Sequence, residues 1–146
     1  VLTDGQLDGL TATQMANLTK TQLGGLTSGQ IAGLSLVQIG SLNSAHIAAL
    51  TTKQEAGLSV DDIAALTAAQ FSGMTAVQVK ALSDSQVKGL SAQMANMTKT
   101  QVAGLETVDF AIIGSGLFNS EQVSALSATQ KKAYLDAGGT IGVTSK

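Results

Sequence analysis

The sequence predicts an all-α fold, a solenoid of very short helices with one helix per eight-residue repeat and a degenerate cap or joint toward the C-terminal end. Three observations predict it. An apolar residue returns every eight positions without a slip at Leu2, Leu10, Leu18, Leu26, Leu34, Leu42, Leu50, Leu58, Leu66, Met74, Leu82 and Leu90. The next residue is Thr, Ser or Asn, and three positions later Gln stands in most units, which is the residue pairing of a helix capping box. A second apolar residue follows the Gln, and the unit closes in most cases on Gly or Ala.

Other periodic structures fit badly. Eight residues of a continuous α-helix turn through about 800°, so an apolar stripe would rotate by roughly 80° per repeat and wind around the helix. In a strand the two apolar positions of a unit have opposite parity and would point to opposite faces. A helix that restarts at each Leu-Thr step satisfies the pattern. It is only a turn or so long and is marginal alone, so neighbouring units must stabilise it by sharing one apolar column. Gly or Ala at the eighth position lets backbones approach closely.

Taken in order, the first four units carry Thr3 with Gln6, Thr11 with Gln14, Thr19 with Gln22 and Thr27 with Gln30, and bury Leu7, Met15, Leu23 and Ile31. Ser35 with Gln38 follows. In the next unit Asn43 is the cap and His46, the chain's one histidine, stands where the repeat puts Gln. Thr51 with Gln54 follows, and there Glu55 occupies an apolar slot. Asp61 and Asp62 open the next helix, where negative charge suits the helix dipole. Thr67 with Gln70, Thr75 with Gln78 and Ser83 with Gln86 continue the series. The unit from Leu90 has lost one residue, and Met97 to Val102 restores the register. Gln14–Gln22 is nearly repeated at Gln93–Gln101, which points to a longer duplication of about ten units.

After Leu105 the pattern degrades. Glu106 and Asp109 replace cap and Gln, Phe110, Ile112 and Ile113 cluster, and Gly114-Ser115-Gly116 reads as a hinge. Two further units start at Phe118-Asn119 and Leu126-Ser127, with Lys131 in an apolar slot and Tyr134 in place of Leu, before a Gly138-Gly139 tail. The organisation expected is therefore an octapeptide-repeat solenoid over 1–105 and degenerate repeats, cap or joint, and tail over 106–146. Phe110, Ile112, Ile113, Phe118 and Tyr134 are the candidate assembly residues.

Composition narrows the function classes. Aromatics are 3% of the chain although hydrophobic residues reach 44%, so the core is narrow and built of aliphatic side chains. Charged residues are 12%, against roughly 25% in an average domain. The net charge of −2 comes from scattered residues, leaving no basic stripe for nucleic acid and little repulsion between copies. There is no cysteine, and no apolar run approaches the roughly 18 residues of a membrane span. The chain opens at Val1 without Met or a signal-peptide pattern, which suggests a processed product or an excised piece.

Chemistry-bearing residues are sparse. His46 has no Cys, second His or carboxylate at ligand spacing and reads as a substitute for the capping Gln. Asp61 and Asp62 offer too few oxygens for Ca²⁺. Gly114-Ser115-Gly116 lacks the Lys-Ser/Thr and strand of a phosphate loop. Asn17-Leu18-Thr19 and Asn96-Met97-Thr98 match the glycosylation triplet, but the repeat itself explains both. The hydroxyl ladder suggests an ice-binding face, except that capping already engages those hydroxyls. No catalytic, cofactor or metal residues are expected, and no small-molecule substrate is inferred.

The run Leu26-Thr27-Ser28-Gly29-Gln30-Ile31-Ala32-Gly33-Leu34 and its neighbours resemble the Leu-Thr-x-x-Gln-Val-x-Ala octapeptide arrays of very large bacterial secreted or surface proteins. The resemblance covers Leu2 to about Leu105 and, more loosely, Phe118 to Tyr134. It implies an exported, extended protein of adhesive or structural kind, extracellular or on the cell surface. The function expected is that of an extracellular structural protein, not an enzyme, whose solenoid self-associates as a homo-oligomer, filament or surface layer. The alternatives are a monomeric spacer or ligand-binding module of a larger exoprotein, and an ice-binding protein.

Overall fold

A computed structural model describes residues 2–114 and 118–141. The described residues are all helical or in short connections, with no strand among them. The helices in chain order are α1 (Asp4–Asp8), α2 (Ala12–Ala16), α3 (Lys20–Gly24), α4 (Ser28–Ala32), α5 (Leu36–Ser41), α6 (Ser44–Ala49), α7 (Thr52–Glu55), α8 (Val60–Ala65), α9 (Ala68–Ser72), α10 (Ala76–Ala81) and α11 (Asp84–Gly89). A 3₁₀ helix over Leu90–Asn96 follows, and then α12 (Lys99–Gly104), α13 (Asp109–Ile113), α14 (Ser120–Ala125) and α15 (Ala128–Asp136).

The capping boxes read from the sequence form in every helix from α1 to α11. In α2, for example, the Thr11 hydroxyl accepts the Gln14 amide proton at 3.3 Å, and Gln14 Oε1 accepts the Thr11 amide proton at 2.8 Å. Each cap residue has extended backbone, so the chain leaves one helix and turns before entering the next. The seven-residue unit at Leu90 lacks a side-chain cap and tightens into the 3₁₀ helix, the local result of losing one residue from a register of eight.

Successive helices wind into a superhelix in which each packs on the third one along: α2 on α5, α3 on α6, α4 on α7, α5 on α8, α6 on α9, α7 on α10 and α8 on α11. One turn of the superhelix therefore uses between three and four units. The first and sixth positions of each unit point into the common axis and make one continuous core, from Leu7 through Ile31, Ile63 and Val87 to Val123 and Tyr134. Close packing between turns needs small residues. A side chain at Gly57 would strike the carbonyl of Ser28, and one at Gly89 would sit 2.6 Å from the carbonyl of Val60. The eighth-position glycines Gly57, Gly73, Gly89 and Gly104 thus serve contacts to the previous superhelical turn, where the sequence suggested contact between successive units.

Toward the C-terminal part α10 packs on α12 and α11 on α13, still the third element along when the 3₁₀ helix is counted, whereas α12 packs on α14 and α13 on α15, the second along. Phe110, Phe118 and Tyr134 make mutual edge-on or tilted contacts with centroids 5.5–6.2 Å apart. The chain then turns at Gly138, whose φ of 89° is the left-handed conformation that Gly adopts without strain. Gly139 lies against the Tyr134 ring so closely that no Cβ would fit. Of the expected hinge, Gly114 has φ 81°, whereas Ser115 and Gly116 lie outside the described residues, as does the tail beyond Ile141.

Candidate assembly surface

The repeated Gln does more than cap its own helix. Helices of five or six residues end with carbonyls that no further helical turn satisfies, and these ends are buried against the next superhelical turn. Gln from four units later reaches them. Gln54 Nε2 donates to the carbonyls of Leu23 and Leu26, both at 2.8 Å, while its Oε1 accepts the Thr51 amide proton at 3.0 Å. Gln70 does the same to Ile39 and Leu42, Gln78 to Ile47 and Leu50, and Gln101 to Phe71 and Met74. A carboxamide carries an acceptor and two donors on one group, which a carboxylate does not. One side chain starts its own helix and closes the end of another one turn below.

The exceptions follow the same logic. His46 Nδ1 accepts the Asn43 amide proton at 3.3 Å and Nε2 lies 2.8 Å from the Leu18 carbonyl, so the tautomer protonated at Nε2 reproduces both Gln functions with one donor fewer. Gln93 in the 3₁₀ unit has no cap to serve, yet its Nε2 still donates to the Leu66 carbonyl at 2.6 Å. Asp62 takes the Gln position in α8 and accepts the Ser59 amide proton at 2.8 Å, but its side chain carries no N–H to donate to the turn below. Asp109 accepts the Glu106 amide proton at 2.6 Å, so half of a capping box survives where the sequence pattern degrades. Burial pushes the Asp109 carboxyl above the usual range; the bond from Glu106 opposes this, and the charges of Glu106 and Asp84 add to it.

Glu55 is the anomaly. It fills the sixth, inward position of its unit at the end of α7, is 2% exposed, and neither carboxyl oxygen has a hydrogen-bond partner among the described residues. Burial raises its pKa from 4.5 to about 8, so it is mostly a neutral acid at pH 7.

The five residues expected at an assembly joint are placed together, at the C-terminal end of the solenoid, but mostly inside it. Phe110, Ile113, Phe118 and Tyr134 are buried, and Ile112 is half-buried against the core. Large apolar side chains complete the narrow axis where the repeat loses its regular Leu residues, so these aromatics plug the end of the chain's own core. The exposed large apolar side chains among the described residues are Leu36 and Val37 on α5, Val60 on α8, Val77 on α10, Val108, Leu135 and Ile141. No group of three or more His, Cys, Asp or Glu residues is arranged to hold a metal ion among the described residues. No described helix is long and apolar enough to cross a membrane.

The first three units are less covered than the rest. Leu2, Leu10 and Leu18 are only half-buried, whereas the same position is buried from Leu26 onward. Gln6, Gln14 and Gln22 are exposed, and no acceptor takes their Nε2 protons among the described residues. A cleft of about 450 Å³ opens between Leu2, Gln6, Thr21, Gln22 and Gly25.

Compared with known proteins, residues 16–52 match the family model of the ALTTAQ repeat, which supports the reading of the chain as a repeat protein. No curated protein matches the chain. No solved structure matches it either.

Proposed function

We propose that this chain is an exported structural protein whose solenoid self-associates into a filament or layer. The observation that carries the reading is the way superhelical turns are joined. Contact between turns uses the same residue types at the same positions in most units, with Gln to carbonyl pairs, inward Leu and Ile side chains, and a small residue at position eight. An interface of that kind is generic along the axis. It propagates from one turn to the next without a unique complementary pair, and a head-to-tail contact that does not close into a ring extends into a fibre. Sparse charge supports it further, since a net charge of −2 supplies little repulsion between copies. The octapeptide resemblance supports export and a place outside the cell.

Negative-stain electron microscopy with light scattering over a concentration series tests this. Regular filaments or concentration-dependent growth is the expected result. A thin particle that stays monomeric at every concentration would favour a spacer or binding module instead.

A further inference from the structure

The side-chain donors that join superhelical turns form a series, and the acids break it inside the solenoid. The carbonyl at the first position of a unit takes a Gln N–H from the next turn at Leu26, Leu42, Leu58 and Met74. The carbonyls of Leu34 and Leu82 take none among the described residues. Register explains both. Gln101 reaches across the seven-residue unit to the carbonyls of Phe71 and Met74, 30 and 27 residues back. The same offsets from Asp109 lead to Val79 and Leu82, and the offset of 28 by which Gln54 reaches Leu26 leads from Asp62 to Leu34.

The position of Asp109 gathers oxygens and negative charge. Its carboxyl is 5% exposed, with Oδ2 held by the Glu106 amide at 2.6 Å and Oδ1 without a hydrogen-bond partner among the described residues. The Val79 carbonyl accepts only the Leu82 amide, at 3.3 Å, and the Leu82 carbonyl accepts nothing there. Both carbonyls lie at the C-terminal end of α10, the negative end of the helix dipole. Glu106 and Asp84 stand close enough for their charges to act on Asp109. Lys80 and Lys88 lie on α10 and α11 and form no ion pair among the described residues. A cleft of about 500 Å³ lined by Lys80, Glu106 and Thr107 brings solvent to this edge of the solenoid.

We infer that Asp109 and the carbonyls of Val79 and Leu82 bind a calcium ion, which joins α10 to α13 where other turns use a Gln amide. Every group that would touch the ion is an oxygen, which selects a hard cation. A carboxylate and two carbonyls completed by water suit Ca²⁺, whose coordination is flexible, better than Mg²⁺, which demands a near-ideal octahedron. Glu106 and Asp84 add attraction through space, so one carboxylate suffices in contact. With so few charged ligands the affinity is weak, a Kd on the order of 1 mM. The site lies within the solenoid and is independent of the self-association proposed above.

The test compares the wild type with Asp109→Gln and Asp62→Gln. Glutamine restores the N–H of the regular series, so both variants keep the packing of neighbouring units. Thermal unfolding is followed by circular dichroism in CaCl₂ or MgCl₂ at constant ionic strength, and amide NMR spectra during a CaCl₂ titration locate the ion. At about ten times the Kd, Ca²⁺ is expected to raise the midpoints of the wild type and Asp62→Gln by roughly 3–5 °C. Asp109→Gln is expected to ignore Ca²⁺, Mg²⁺ to have little effect, and the shifted amides to cluster at 82–84 and 106–110. A wild type indifferent to Ca²⁺ overturns the inference. An unchanged response in Asp109→Gln, or a response lost only in Asp62→Gln, overturns the placement. Equal stabilisation by Mg²⁺, with shifts scattered over exposed acids, overturns it too, since general screening of charge would then be the cause.

Discussion

Glu55 ties one side chain to a measurable pH dependence. Its carboxyl is buried in the apolar axis without a hydrogen-bond partner, and its pKa is raised from 4.5 to about 8 by loss of solvent. α4, packed on one side of α7, brings no titratable group; α10 brings Lys80, α11 brings Asp84 and Lys88, and α7 itself carries Lys53. None forms an ion pair with Glu55 among the described residues, where the pairs found are Lys99–Glu121 and Lys132–Asp136. The folded state therefore holds a proton that the unfolded chain releases above about pH 4.5. Stability is full below that pH, falls by about 1.4 kcal/mol per pH unit as pH rises toward 8, and levels off above it, a loss of at most roughly 5 kcal/mol. Much of the stability of an ordinary domain is of that size. Urea unfolding at pH 5, 7 and 9, read by circular dichroism, compares wild type with Glu55→Leu. The Leu variant is expected to be more stable at pH 7 by about 3 kcal/mol and to lose most of the slope between pH 5 and 8. Parallel pH curves for the two proteins would refute the reasoning.

Three further outcomes are expected. Gln101→Glu removes the side-chain donor to the carbonyls of Phe71 and Met74, of which Phe71 keeps only the Met74 amide, and buries a charge beside them, so it destabilises by about 3 kcal/mol at neutral pH in denaturant titrations. Asp62→Gln supplies the donor that α8 lacks toward the turn below, and stabilises by about 1 kcal/mol, read as a higher unfolding midpoint. Gly57→Ala drives a methyl group into the Ser28 carbonyl and separates α4 from α7 at a cost of about 1–3 kcal/mol; Gly24→Ala, where a Cβ meets nothing within 4 Å, is the control and leaves the midpoint unchanged or higher.

The sequence announced each helix start because a capping box is local. Thr11 and Gln14 are three residues apart, and their mutual bonds require no distant part of the chain. The alternation of Leu and Ile or Val inward was legible for the same reason. His46 was legible as a substitute for Gln at the cap, though its second bond to Leu18 was not, since that partner lies 28 residues away. A clue to the longer reach was present. Capping boxes accept Glu as readily as Gln, yet most units carry Gln at that position, with Asp62 and Asp109 as the acidic exceptions, which fits a use for the amide donor as well as the acceptor.

The repeat length, the helix starts and the apolar column were thus determined by residues acting on near neighbours. Tertiary structure alone decided that a turn takes three to four units, that Gln side chains such as Gln54 and Gln70 close a helix one superhelical turn back, and that the Phe110, Phe118 and Tyr134 cluster turns inward as a plug. It also decided that Glu55 has no partner. The physical reason is that all of these depend on the superhelical pitch. Small backbone rotations at every Leu-Thr step accumulate into that pitch, and no single unit encodes their sum.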